Sequence, residues 1–199
     1  MYLWDRGGLH VSGGFCLLTA WFALVNGARL LAVVLLGCTV HELGHYLALR
    51  YQGVRVTGLR LEVLGAEMTA DRSGISYGGE LAAVLAGPGA NLLAALVLLG
   101  GGEALWTAAG SNLVLCAFNL LPLRPLDGGR ALELAAAWAM GPDMGERTAR
   151  IAGTVTALAL SGCLGMVMVQ SGGSLWLAPA AAAGVLAALR EIRGSPVAE

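Results

Sequence analysis

An all-α integral membrane domain of about six transmembrane helices, with a short membrane-associated β-hairpin between the second and third, is the fold class this sequence predicts. Three observations predict it. The 199 residues are 57% hydrophobic and 13% charged, with a mean hydropathy of +0.72, whereas a soluble domain carries about 25% charged residues. Apolar windows recur near residues 11–27, 30–49, 81–99, 104–121, 151–169 and 175–189, most of them near the length that crosses a bilayer. Finally, lysine is absent and the twelve arginines are unevenly placed. Six spans put Arg6, Arg50, Arg55, Arg60, Arg72, Arg124, Arg130, Arg147, Arg150, Arg190 and Arg193 on one side, and Arg29 alone on the other. The positive-inside rule then sets both termini in the cytoplasm, and five spans would scatter the pattern.

Taken in order, the first window is expected to be an anchor and not a signal peptide. Only Arg6 precedes it, and "LVNGARL" lacks the small-residue pattern of a cleavage site. The second, "LLAVVLLGCTVHELGHYLAL", is a twenty-residue run that at 1.5 Å per residue matches a hydrocarbon core of roughly 30 Å. Residues 56–70, "VTGLRLEVLGAEMTA", alternate around Leu59, Arg60, Leu61, Glu62 and Val63, the period of a short strand or hairpin. Residues 127–140 read as a short helix at the cytoplasmic boundary, with Arg130 and Glu133 one turn apart. The last window is the shortest and contains Pro179. No linker or repeat divides the chain, so residues 1–199 are expected to form one transmembrane domain.

Composition also excludes function classes. No basic or acidic tail points to nucleic acid. Cys16, Cys38, Cys116 and Cys163 all fall in apolar stretches without a CxxC pair, so they read as small buried side chains. Cys38 stands one turn before His41, within reach of a metal held there, but the sequence offers a better third ligand. His10 is expected at the membrane interface.

The chemistry-bearing feature lies inside the second window. His41-Glu42-Leu43-Gly44-His45 has HExxH spacing, and on a helix residues i and i+4 share a face, so both imidazoles can reach one ion. Glu42 projects beside them, where it can take a proton from an attacking water. Zinc suits this donor set because it accepts nitrogen and carboxylate ligands and keeps an open position in catalytic sites. Chance occurrence on a polar helix face is the bland alternative, but this helix is apolar on every side, and ionisable groups within a span are functional candidates by default. A third protein ligand is usual. Asp127, in a segment kept irregular by Pro122, Pro125 and Gly128-Gly129, is the best acid available. Its other use would be as a helix N-cap; beside an incomplete zinc site the ligand role leads.

Together these residues resemble the site-2 protease family of intramembrane zinc metalloproteases. Three motifs match in order: HELGH at 41–45, "AGPGAN" at 86–91 and "NLLPLRPLDGGR" at 119–130. The likeness covers about residues 1–190 and is nearest to the sporulation-type branch, represented by stage IV sporulation protein FB. That branch carries a C-terminal cystathionine-β-synthase-like domain and other branches carry inserted PDZ domains; neither is expected in these 199 residues. The resemblance implies one catalytic zinc ion on His41, His45 and Asp127, with Glu42 as general base. It implies that Asn91 and Asn119 position substrate near the metal, since an unwound peptide in a membrane needs donors and acceptors for its backbone. The other use of both asparagines is hydrogen bonding between helices, the role expected of Asn112. The 56–70 hairpin would hold an extended substrate by strand addition. The expected substrate is a membrane-tethered protein cleaved within a bacterial cytoplasmic membrane, with the lipid bilayer as surroundings and room for a regulatory membrane partner. Two rivals remain: a non-proteolytic membrane scaffold that retains the metal, and a metal transporter. The scaffold has no need of Glu42, and the transporter needs more than one metal station.

Overall fold

The computed structural model describes residues 2–6, 8–62, 65–170 and 185, with only the backbone described over residues 2–6. The elements are β1 (Tyr2–Arg6), β2 (Leu9–Ser12), α1 (Gly13–Asn26), α2 (Ala28–Tyr51), β3 (Val56–Glu62), β4 (Gly65–Ala70), α3 (Tyr77–Leu99), a 3-10 turn (Glu103–Leu105), α4 (Trp106–Asn119), α5 (Asp127–Met140) and α6 (Pro142–Gln170). The chain divides into two compact units, Met1–Asn119 and Leu120–Glu199.

In the first unit the expectation of an all-α fold needs correction. The hairpin foreseen at 56–70 is present as β3 and β4, paired antiparallel from Val56↔Ala70 to Glu62↔Gly65. It does not stand alone. Residues 2–12 form a second antiparallel hairpin, and β2 joins β3 in parallel, giving a four-stranded sheet in the order β1-β2-β3-β4. A parallel pair needs a crossover of a dozen or more residues, and α1 with α2 supplies it. Gly8 makes the junction possible: its φ is +86°, its carbonyl accepts the Leu59 N–H at 2.7 Å, and a Cβ there would run into the Thr57 carbonyl. Because residues alternate along a strand, one face carries Leu9, Val11, Leu59, Leu61, Ala66 and Met68. The other aligns His10, Arg60 and Glu67 as successive partners across β2, β3 and β4. His10 is therefore a sheet residue.

The helices start where the sequence gives them caps. Ser12 accepts the Phe15 N–H at 3.2 Å to open α1, and Ser76 accepts the Gly79 N–H at 3.1 Å to open α3. Gly27, at φ +86°, is the single residue separating α1 from α2. Among the described residues three helices are long and apolar enough to cross a membrane: α2 with 24 residues, α3 with 23 and α6 with 29. At 1.5 Å per residue α2 is about 36 Å long and clears a roughly 30 Å core. The first expected span begins at residue 13, because 9–12 are strand, and α1 and α4 hold 14 residues each. That is about 21 Å of helix, less than the roughly 30 Å core, a mismatch that a short span takes up by thinning the bilayer around it. The window at 175–189 lies outside the described residues, apart from Val185.

Within the first unit α3 packs against both α2 and α4. Its buried residues are Ala83, Val84, Gly87, Pro88, Asn91 and Ala95, a stripe of small side chains on one face. Its large residues point outward, with Leu93 64% and Val97 68% exposed. An apolar exterior around a small-residue interface is the arrangement lipid favours, where helices associate by close packing and hydrogen bonds between them.

In the second unit α5 occupies the foreseen 127–140 and packs against α6. Arg130 and Glu133 form the expected i,i+3 pair at 3.0 Å. Arg124 pairs with Glu146 at 3.5 Å. Gly141, at φ +94°, turns the chain between the two helices, and Pro142 takes the first position of α6.

Candidate metal centre

His41 and His45 lie one turn apart on α2, on the face turned toward α3. Their approach depends on glycine. A Cβ at Gly44 would run into the Ala86 carbonyl, so α2 and α3 meet backbone to backbone at this level. A Cβ at Gly87 would take the space of the His45 ring, which therefore lies over the bare backbone of α3. Pro88 follows, fully buried. It has no N–H to give the Val84 carbonyl, which loosens the turn of α3 against which His45 rests.

Each imidazole is held by its outer nitrogen. His45 Nδ1 lies 2.8 Å from the Ala83 carbonyl, which can only accept, so Nδ1 carries the hydrogen. His41 Nδ1 lies 2.7 Å from Asn91 Oδ1. Asn91 is 0% exposed, and its Nδ2 donates to the Gly37 carbonyl at 2.9 Å and to Asn112 Oδ1 at 2.8 Å. With both amide hydrogens spent, Oδ1 faces His41, and His41 Nδ1 must donate. In a neutral imidazole the other nitrogen then carries a lone pair.

The two rings meet edge to face, centroids 4.7 Å apart at 83°, with Nε2 of His45 and Nε2 of His41 separated by 3.1 Å. Two lone pairs converging at that distance repel unless a cation stands among them. As neutral imidazoles, each oriented through a hydrogen-bonded outer nitrogen, the two rings are a donor set that fits a borderline metal ion such as zinc.

The remaining expected site residues sit as follows. Glu42 is half-buried on α2 beside His41. Asn91 does not face an open space; its amide is committed to His41, Gly37 and Asn112. Asn119 is the last residue of α4, with Nδ2 donating to the Leu115 carbonyl at 3.0 Å. In the second unit Asp127 is the first helical residue of α5, and Leu126, not Asp127, holds the cap position. A Cβ at Gly128 would strike the Leu120 carbonyl and one at Gly129 the Leu123 carbonyl. The Gly-Gly pair thus lets residues 120–126 fold tightly over the start of α5, where an acid is favoured by the helix dipole.

Asn112, expected to bond between helices, does so: it is 4% exposed, receives Asn91 Nδ2 and donates from its own Nδ2 to the Ala108 carbonyl at 2.9 Å. Sequence reading did not find that it bears on His41. A lone asparagine in an apolar helix shows polarity but not which partner it meets.

Away from the histidines, an open groove of about 550 Å³ is lined by the end of α2 at Gln52, by Arg55 and Thr57, and by Asp71 and Ser73 to Ser76. Asp71 lies at its rim. The Ser73 hydroxyl and backbone N–H beside it hold its carboxyl below the ordinary value of 3.8.

No family model matches the chain. Among curated proteins it is 35% identical to zinc metalloprotease MJ0392 of Methanocaldococcus jannaschii over 117 residues, covering 53% of this chain and 34% of that protein. It is 32% identical to Rip3 of Mycobacterium tuberculosis, whose name also places it among zinc metalloproteases, over 185 residues covering 83% of this chain and 46% of Rip3. The chain thus spans between a third and a half of the length of these relatives. Among solved structures it matches the site-2 protease from Methanocaldococcus jannaschii with a TM-score of 0.65 at 24% identity, over 100% of this chain and 96% of that one. The fold is shared with that protein.

Proposed function

We propose that this chain is an intramembrane zinc endopeptidase of the site-2 protease family. The observation that carries the proposal is the convergence of His41 and His45 Nε2 at 3.1 Å, each ring turned by an acceptor on its outer nitrogen. The likeness to proteins named as zinc metalloproteases and to a site-2 protease fold supports the same reading. In it, His41, His45 and Asp127 hold one zinc ion. The role of Asp127 rests on its place in the LDGGR stretch, at the first helical position of α5, where Leu126 takes the cap position. A bound zinc ion would supply Lewis acidity to the attacking water and the scissile carbonyl.

The chain's own residues do the rest. Glu42 accepts the proton of the attacking water and delivers it to the leaving amine. Asn91 orients His41. Asn119, at the end of α4, offers an amide to the freed backbone of the substrate, which must find partners inside a membrane. Strand β4 is one of the two edges of the sheet, and an extended substrate segment adds to it by backbone hydrogen bonds.

The substrate is a membrane-tethered protein whose span is partly unwound for cleavage. The protein is integral to a bacterial cytoplasmic membrane, with six spans, both termini cytoplasmic and water reaching the site from that side, as the arginine distribution favours. HExxH on the second span, the short hairpin and six spans together favour the sporulation-type branch.

The test is Glu42→Gln in full-length chain co-expressed with a library of tagged single-span membrane proteins. The variant should retain zinc and produce no fragment that wild type produces. Undiminished cleavage would remove Glu42 from the role of base.

A further inference from the structure

Asn91 holds His41 in the ligand tautomer only if its amide keeps its present orientation. Rotated by half a turn, the amide would offer hydrogens to His41 Nδ1, and the ring would respond by moving its own hydrogen to Nε2. The lone pair needed for a metal would be gone. An amide alone does not distinguish these two states; its partners must.

We infer that Asn112 is a positioning residue for the metal centre, fixing through Asn91 the direction of the hydrogen bond at His41 Nδ1 and so leaving the lone pair on Nε2. The inference rests on the proposed metal site but is argued from other groups. The chain begins at the Ala108 carbonyl, which can only accept, and which Asn112 Nδ2 approaches at 2.9 Å. That contact turns Asn112 Oδ1 toward Asn91, where it accepts from Nδ2 at 2.8 Å. The second Asn91 hydrogen goes to the Gly37 carbonyl at 2.9 Å, another group that can only accept. Asn91 Oδ1 is left toward His41, which it accepts from at 2.7 Å. Two backbone carbonyls on different helices thus dictate the tautomer of a side chain on α2.

Burial makes the direction binding. Asn91 is 0% and Asn112 4% exposed, so no water stands ready to repair a reversed link, and an unmatched buried polar group is costly. Reversal at either amide would set donor against donor or acceptor against acceptor along the whole chain. Gly37 belongs to the same device: its carbonyl takes the second Asn91 hydrogen, and a Cβ there would meet Leu115 Cδ1 at 2.7 Å and oblige that side chain to shift.

The test uses full-length chain in micelles, with imidazole nitrogen NMR of the metal-free protein at about pH 8, where an ordinary imidazole is neutral, and zinc affinity by chelator competition. Wild type should show His41 hydrogen on Nδ1. Asn112→Leu removes the acceptor and should mix the two His41 tautomers and weaken zinc binding by about 10- to 100-fold. Asn112→Asp keeps an acceptor toward Asn91 in either protonation state; it should retain the wild-type tautomer and hold zinc affinity within about threefold, well short of that loss. Hydrogen on His41 Nε2 in the wild-type chain would overturn the inference even if Asn112→Leu failed to fold. So would zinc affinity and nitrogen spectra unchanged by Asn112→Leu. A wild-type chain that binds no zinc yet shows the predicted tautomer would instead count against the metal site and leave the hydrogen-bond direction standing.

Discussion

Along α3 the inner face is built from Ala83, Gly87, Asn91 and Ala95, while the outer face carries Leu92, Leu93, Leu96 and Val97. The inner face holds each position by shape and hydrogen-bond direction. Gly87 makes room for a ring, Ala83 offers a carbonyl, and Asn91 gives and receives at once. On the outer face the leucines meet whatever apolar surroundings are present, and one large side chain serves as well as another. Specificity in this helix resides in its smallest residues, because a membrane gives no hydrophobic reward for burying large ones.

Substitutions at the two faces should therefore differ by orders of magnitude. Gly87→Val should be the most damaging, because its side chain takes the place of the His45 ring. Zinc affinity by chelator competition should fall by at least the roughly 100-fold seen when outer partners of ligands are lost. Gly44→Ala presses on the Ala86 carbonyl and should cost about 1–3 kcal/mol, as overpacking does, read by unfolding in mixed micelles. Leu93→Ala, on the outer face, should change stability by about 0.5 kcal/mol or less and leave zinc binding intact. A loss of zinc from Leu93→Ala would erase the distinction between the faces.

A still smaller effect lies outside the helices. Ser73 holds the Asp71 carboxyl below its ordinary value. The stabilisation is therefore fully present above that ordinary value and is lost as pH falls through the depressed one. Ser73→Ala should move the Asp71 titration upward, followed by carboxyl NMR, with little change in stability at neutral pH.

Sequence and structure agree best where local pattern suffices. The i,i+4 spacing of His41 and His45, the alternation at 56–70 and the amphipathic 127–140 helix are each written within one turn or one strand. The N-terminal hairpin was hidden, because Val11 and Ser12 run directly into an apolar helix and the parallel partner of β2 lies some fifty residues on. Gly8 was the available signal. Gly44 and Gly87 read only as small residues until the two backbones were seen to meet at them. Asn91 reads from the sequence as a substrate contact or a bond between helices; which side chains its amide meets, His41 on α2 and Asn112 on α4, is set by packing and not by local pattern.

The most direct test of the account is the metal content and ligand set of purified full-length chain. X-ray absorption at the zinc edge should show one ion per chain with two imidazole nitrogens and oxygen ligands, retained in Glu42→Gln and lost in His41→Ala. Zinc at wild-type stoichiometry in His41→Ala, or none in wild type after loading, would contradict the claim that the paired histidines form a metal site.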